Sequence, residues 1–101
     1  MKMLMNVRIP PDSFNEHVRD GSIGKLIADI VEDAKPESVY FTEFEGNRGC
    51  MMIIEVENAS EVPRFAEPWF LKFEAECEFR ILMTPEDLER AGLETLGDKW
   101  G

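Results

Sequence analysis

Arg8 and Arg80 are the side chains with the most chemistry to offer. Each lies in a short run of alternating apolar and polar residues, with Asn6 on the face of Arg8 and Glu78 on the face of Arg80. A guanidinium in a half-enclosed site can hold a carboxylate through two parallel hydrogen bonds. With Arg8, Arg80, Glu55, Tyr40 and Asn6 on one sheet face, the pattern predicts a pocket for a small anionic or aromatic ligand. The competing reading is a set of Arg–Glu ion pairs that lets charge persist at a protein interface.

His17 is the single histidine. Its unperturbed titration lies near neutrality, so it is a candidate general base, with Glu16 or Glu43 to orient it. The alternative is a solvated helix residue. Cys77 would become a nucleophile if His17 approached it. Against this, Cys50 and Cys77 both occupy strand positions that point into an apolar layer, where a thiol is an inert small hydrophobe. Two cysteines make no disulfide framework, and no second histidine or cysteine lies at metal-ligand spacing. Neither metal nor cofactor is expected. Trp69, Phe70 and Phe73 could be taken for an aromatic ligand box, but their helical spacing reads as core. The 46–49 loop joins two strands and opens no helix, which weakens any phosphate-cradle reading.

Four strand-like runs must position these residues: 1–9, 37–44, 50–56 and 76–83. In the first, Met3, Met5, Val7 and Ile9 share a face opposite Leu4, Asn6 and Arg8, the period of a half-buried strand. In the last, Cys77, Phe79, Ile81 and Met83 oppose Glu76, Glu78, Arg80 and Leu82. The third is almost continuously apolar and reads as a central strand. A hairpin loop spans 45–49, with two glycines for positive φ. Between the first two runs, Asp12 or Ser13 can cap a helix starting near Phe14. Phe14 and Val18 form one stripe; Ile23, Leu26, Ile27, Ile30 and Val31 form another, rotated by roughly 150° at about 100° per residue. The pattern therefore predicts a break at Asp20-Gly21-Ser22 and a second helix to about Ala34. Val62, Phe65, Ala66, Trp69, Phe70 and Phe73 mark a further helix, which Pro68 should bend or interrupt. Thr84-Pro85-Glu86-Asp87 starts a short helix that Gly92 ends, and Leu93, Leu96 and Trp100 follow as an apolar tail.

The order β-α-β-β-α-β predicts a single ferredoxin-like α+β domain over residues 1–101. Right-handed crossovers put the first and third strands in the centre of a four-stranded antiparallel sheet. Helices cover one face. The other mixes Leu4, Met51 and Ile53 with Arg8, Arg80, Glu55 and Glu78; parity alone leaves open which residues of the second strand join it. That face is too apolar for water and too charged for an ordinary core, so a second copy of the sheet is the expected cover.

Twenty-one acidic residues against 11 basic ones give a formal charge of −10. Such a surface repels nucleic acid and anionic membranes. No apolar run approaches the roughly 20 residues of a membrane span. Residues 3–7 are too short for the core of a signal peptide, so a cytoplasmic location is expected.

Lys35-Pro36-Glu37-Ser38-Val39-Tyr40-Phe41, Glu67-Pro68-Trp69-Phe70 and Thr84-Pro85-Glu86-Asp87-Leu88 give the chain, along nearly its whole length, a resemblance to a small family of uncharacterised bacterial proteins of the dimeric α+β barrel type. The resemblance implies two ferredoxin-like sheets packed face to face. The wider superfamily includes small isomerases, cofactor-poor monooxygenases, haem-degrading enzymes and amino-acid-sensing domains, and no motif of any one of them is present. Three functions follow: a homodimer that binds a small molecule, a cofactor-independent isomerase or monooxygenase, and a structural or interaction module.

Overall fold

The computed structural model describes Met1–Gly101. Strands β1 (Lys2–Arg8), β2 (Ser38–Phe44), β3 (Asn47–Glu55) and β4 (Glu76–Ile81) form one antiparallel sheet in the order β2-β3-β1-β4. Helices α1 (Pro11–Asp20) and α2 (Ile23–Ala34) connect β1 to β2, and α3 (Val62–Phe73) connects β3 to β4. This is the ferredoxin-like βαββαβ arrangement, with β1 and β3 central as the connection order requires.

The period-two pattern decides what each face buries. Met3, Met5, Val7 and Ile9 from β1 and its end meet Cys50, Met52, Ile54 and Val56 from β3 and its end, all buried beneath the helices. Phe65, Ala66, Trp69 and Phe73 of α3 and Ile30 of α2 complete that core. The break between α1 and α2 falls at Gly21, whose φ of 82° is the left-handed conformation that suits glycine. It lets Phe14 and the Ile23–Leu26–Ile27 stripe reach the same core. Val18 stays at the surface.

Local chemistry moves several boundaries. Helix α1 begins at Pro11 rather than near Phe14 and has no side-chain cap; the fixed φ of proline already suits the first helical position. Ser22 precedes α2, but its hydroxyl lies 2.7 Å from His17 Nδ1 instead of capping the helix. Helix α3 continues past Pro68 without restarting. The β2–β3 connection is tighter than a 45–49 loop. Glu45 and Gly46 both have positive φ, 52° and 86°, and form a two-residue turn of the kind that matches strand twist. The Gly46 N–H donates to the Glu43 carboxylate at 2.7 Å, which secures the turn.

Beyond β4, the Leu82 N–H still donates to the Lys2 carbonyl. Thr84 then caps α4 (Pro85–Arg90) in a reciprocal box: its hydroxyl accepts from the Asp87 N–H at 3.1 Å while its own N–H donates to the Asp87 carboxylate at 3.0 Å. The expected apolar tail is instead a second helix, α5 (Leu93–Trp100). Gly92, at φ 67°, turns the chain, and its carbonyl accepts from Thr95 and Leu96 to start the new helix. Neither α4 nor α5 buries a residue. The molecule measures 61 × 27 × 20 Å, with a radius of gyration of 17.2 Å; a compact chain of this length has about 13 Å. The C-terminal pair of helices is an arm.

Candidate cleft on the open sheet face

Pairing register places every side chain of the uncovered face. Reading from β2 to β4, the rows are Ser38–Ile53–Leu4–Arg80, Tyr40–Met51–Asn6–Glu78 and Thr42–Gly49–Arg8–Glu76. The parity of β2 is thereby settled: Tyr40, Thr42 and Phe44 lie on the open face, while Val39 packs into the core. Leu4, Met51 and Ile53 are only half-buried.

At the β2–β3 turn end of this face, a cleft of about 350 Å³ is lined by Asn6, Arg8, Phe44, Glu45, Glu76, Cys77 and Glu78. Arg8 stands between two carboxylates, 3.4 Å from Glu45 and 4.0 Å from Glu76. Asn6 Nδ2 donates to Glu78 at 3.5 Å, and the same carboxylate oxygen accepts from Arg80 at 3.1 Å. Asn6 Oδ1 is buried without a partner. The Phe44 ring forms an apolar wall beside Gly49. The turn that carries Glu45 is anchored from the other side of the sheet. There Arg48 donates to Asn15 at 2.7 Å and lies over the Phe14 ring at 4.5 Å.

The cleft gathers Asn6 and Arg8 from the five residues expected on one site. Arg80 reaches it only through Glu78, because Arg8 pairs with Glu76 and Arg80 with Leu4. Four strand positions, about 13 Å, separate the two arginines, too far for a joint grip on one small group. Tyr40, 67% exposed, stands on the outer strand two strands from Asn6. Glu55 lies at the opposite end of the sheet, 2.6 Å from the N-terminal amine. Glu78 was legible as an open-face residue, whereas Phe44 belonged to one of two possible parities of β2 until its register with β3 chose. Glu45 was not, because a non-glycine residue with positive φ at a turn leaves no sequence signal.

His17 sits on the helix side. Its ring meets Phe73 edge-on at 5.7 Å, and Ser22 holds Nδ1. The thiols are poor nucleophiles. Burial, with a small contribution from the neighbouring Cys77, pushes Cys50 up to about 12, and burial together with the nearby Glu67 charge pushes Cys77 up to about 11. Val7 pairs with Cys50 on one side and Cys77 on the other, so the thiols stand two strand spacings apart, about 10 Å; both are free. At pH 8 a thiol-disulfide reagent should therefore label native protein roughly a hundredfold more slowly than an ordinary cysteine, and both thiols at the ordinary rate in urea. Rapid labelling of one thiol in native protein would contradict this placement. No group of three or more His, Cys, Asp or Glu side chains is arranged to hold a metal ion, and no helix is long and apolar enough to cross a membrane.

The site's charges define what can enter. Three carboxylates line the cleft beside one guanidinium: Arg8 meets Glu45 and Glu76, while Glu78 is held by Asn6 and Arg80. A further anion would be repelled by the carboxylates, whereas hydroxyl or amine hydrogens would find acceptors.

The fold and this cleft define a ferredoxin-like α+β protein with an open, partly apolar sheet face. No family model matches the chain, and no curated protein matches it. Solved structures do. One is a 5-chloro-2-hydroxyhydroquinone dehydrochlorinase from Burkholderia phenoliruptrix, determined in complex with 2,5-dihydroxybenzoquinone. It superposes with a TM-score of 0.60 at 21% identity, over 85% of this chain and 97% of that one. At that identity the likeness is one of fold.

Proposed function

We propose that this chain is a dimeric α+β barrel protein that binds a small polar aromatic compound, hydroxylated or quinonoid, in the Arg8–Asn6 cleft. The observation that carries the proposal is the cleft's composition: one guanidinium donor, three carboxylate acceptors and the Phe44 ring within about 350 Å³. A flat ring could stack on Phe44, donate hydroxyls to Glu45, Glu76 or Glu78, and accept from Arg8 on a carbonyl oxygen. The structural neighbour carries a dihydroxylated ring too, though an acidic one whose charge the carboxylates of this cleft would disfavour. The same composition disfavours a carboxylate ligand, which would bring a fourth negative charge. It favours binding over covalent chemistry, because the cysteine that lines it is held protonated.

The dimer is part of this reading. Half-buried Leu4, Met51 and Ile53 form an apolar strip along the centre of the open face. A second sheet would cover them and roof the cleft, raising the worth of each polar contact inside. The test combines native mass spectrometry with calorimetric titration of hydroquinone, a hydroxylated ring that is uncharged at neutral pH. A dimer that takes up the probe is expected, with Arg8→Ala weakening binding ten- to a hundredfold, the worth of one charge-assisted hydrogen bond. Binding indifferent to Arg8→Ala, or no binding at millimolar probe, would reject the site. A monomer at micromolar concentration would reject the barrel.

A further inference from the structure

We propose that α4–α5 is an exchange arm, which in the dimer leaves its own body and lies against the other copy. The inference rests on the face-to-face dimer proposed above.

The arm cannot be stable as it stands. Its helices have six and eight residues, and isolated helices shorter than about 12–15 residues are marginal in water. They bury nothing, yet Leu88, Leu93, Leu96 and Trp100 are exposed along them, with Ile81 and Met83 exposed at the root. Leu93, Leu96 and Trp100 share one helical face. Glu94 and Asp98 occupy the opposite one, so an apolar contact leaves the acids in water. Pro85, Leu88 and Leu93, with Glu89 and Glu94 at their side, also line an open groove of about 320 Å³ between the two helices.

The arm is held away from its own body. The Thr84–Asp87 box and Pro85 at the first helical position set the direction in which it leaves β4. The bond from the Leu82 N–H to the Lys2 carbonyl holds the root in line with the sheet.

The required area identifies the occupant as a second copy. Four strands of about seven residues offer a flat footprint near 450 Å², whereas a stable interface buries about 800 Å² on each partner. The open sheet face alone falls short. An arm about 24 Å long and 10 Å wide adds roughly 240 Å². In an exchanged dimer each copy both gives an arm and receives one, so the gain counts twice per copy and brings the interface to the standard size.

Trp100 reports on this directly. It is 77% exposed, while Trp69, the other tryptophan, is fully buried. Trp100→Phe isolates its emission by difference. In the wild-type dimer, Trp100 should emit at shorter wavelength and resist acrylamide. It should become freely quenched on dilution below the dimer dissociation constant, or in the full-length open-face variant Met51→Glu. Leu93→Asp should weaken dimerisation at least tenfold by analytical ultracentrifugation, with unchanged circular dichroism in the sheet region. A dimer whose Trp100 is freely quenched, and which ignores Leu93→Asp, would overturn the exchange arm and leave the dimer standing. Trp100 protected equally in dimer and Met51→Glu monomer would place the arm on its own body and also overturn the exchange. A wild-type monomer at all concentrations would overturn the arm and the dimer together.

Discussion

Trp69→Ala is expected to remove about 3–5 kcal/mol of stability, the cost of deleting a large buried aromatic and leaving its cavity. A domain of this size has only about 5–15 kcal/mol in total, so the variant should be close to unfolding at 37 °C. The reason is position. Trp69 is 0% exposed and packs against Phe73 at 5.8 Å between ring centroids, in the layer where α3 meets the sheet. One detail separates two substitutions at this site. The indole Nε1 is buried without a hydrogen-bond partner, and an unmade buried hydrogen bond costs about 1–3 kcal/mol. Trp69→Phe loses area but also removes that orphaned donor, so its net cost should stay within about 1–2 kcal/mol. Urea unfolding of the three proteins at one protein concentration decides it. Equal losses for the alanine and phenylalanine variants would mean that Nε1 is satisfied, for instance by a bound water. A loss below 1 kcal/mol for Trp69→Ala would mean the core tolerates its absence.

This core was legible in the sequence because its signals are local. Alternation in 1–9 and 76–83 and the Val62-to-Phe73 stripe each identify a buried face within a single element. The first and last of these carry over into Met5, Val7, Trp69 and Phe73, with Phe70 of the stripe left exposed. In 76–83 only Cys77 and Phe79 reach the core, half-buried, while Ile81 and Met83, expected on that face, stand exposed at the sheet's end. The cleft was less legible because it depends on relations between elements. Parity puts Arg8 and Arg80 on one face of neighbouring strands, but only the register shows four positions between them. Parity within β2 could not choose between Tyr40 and Phe41 until pairing with β3 chose. The arm was misread for a different reason. Gly92 is a helix terminator by type, and nothing after it supplies a side-chain cap. Helix α5 starts on the Gly92 carbonyl, a backbone group that sequence does not distinguish.

The same dependence on register makes Gly49 a sharp test of the cleft. Gly49 is buried in β3 between Arg8 and Thr42, and a Cβ built there would run into the Val7 carbonyl and the Phe44 ring. The ring can swing aside, but the carbonyl belongs to the central strand and can move only if β1 moves with it. Gly49→Ala should therefore cost about 1–3 kcal/mol as an overpacked site, and Gly49→Val more. The second effect is on the cleft itself, since the displaced ring is its apolar wall. Loss of the wall should weaken binding of hydroquinone by at least tenfold. Adding Phe44→Ala separates the two obstacles. If the carbonyl dominates, Gly49→Ala costs the same with or without the ring; if the ring dominates, the double variant recovers most of the stability but not the binding. Thermal unfolding and calorimetry read the two effects independently. A neutral Gly49→Ala, in stability and binding alike, would mean that β1 and β3 do not approach as closely as this register requires. The cleft they border would then lose its basis.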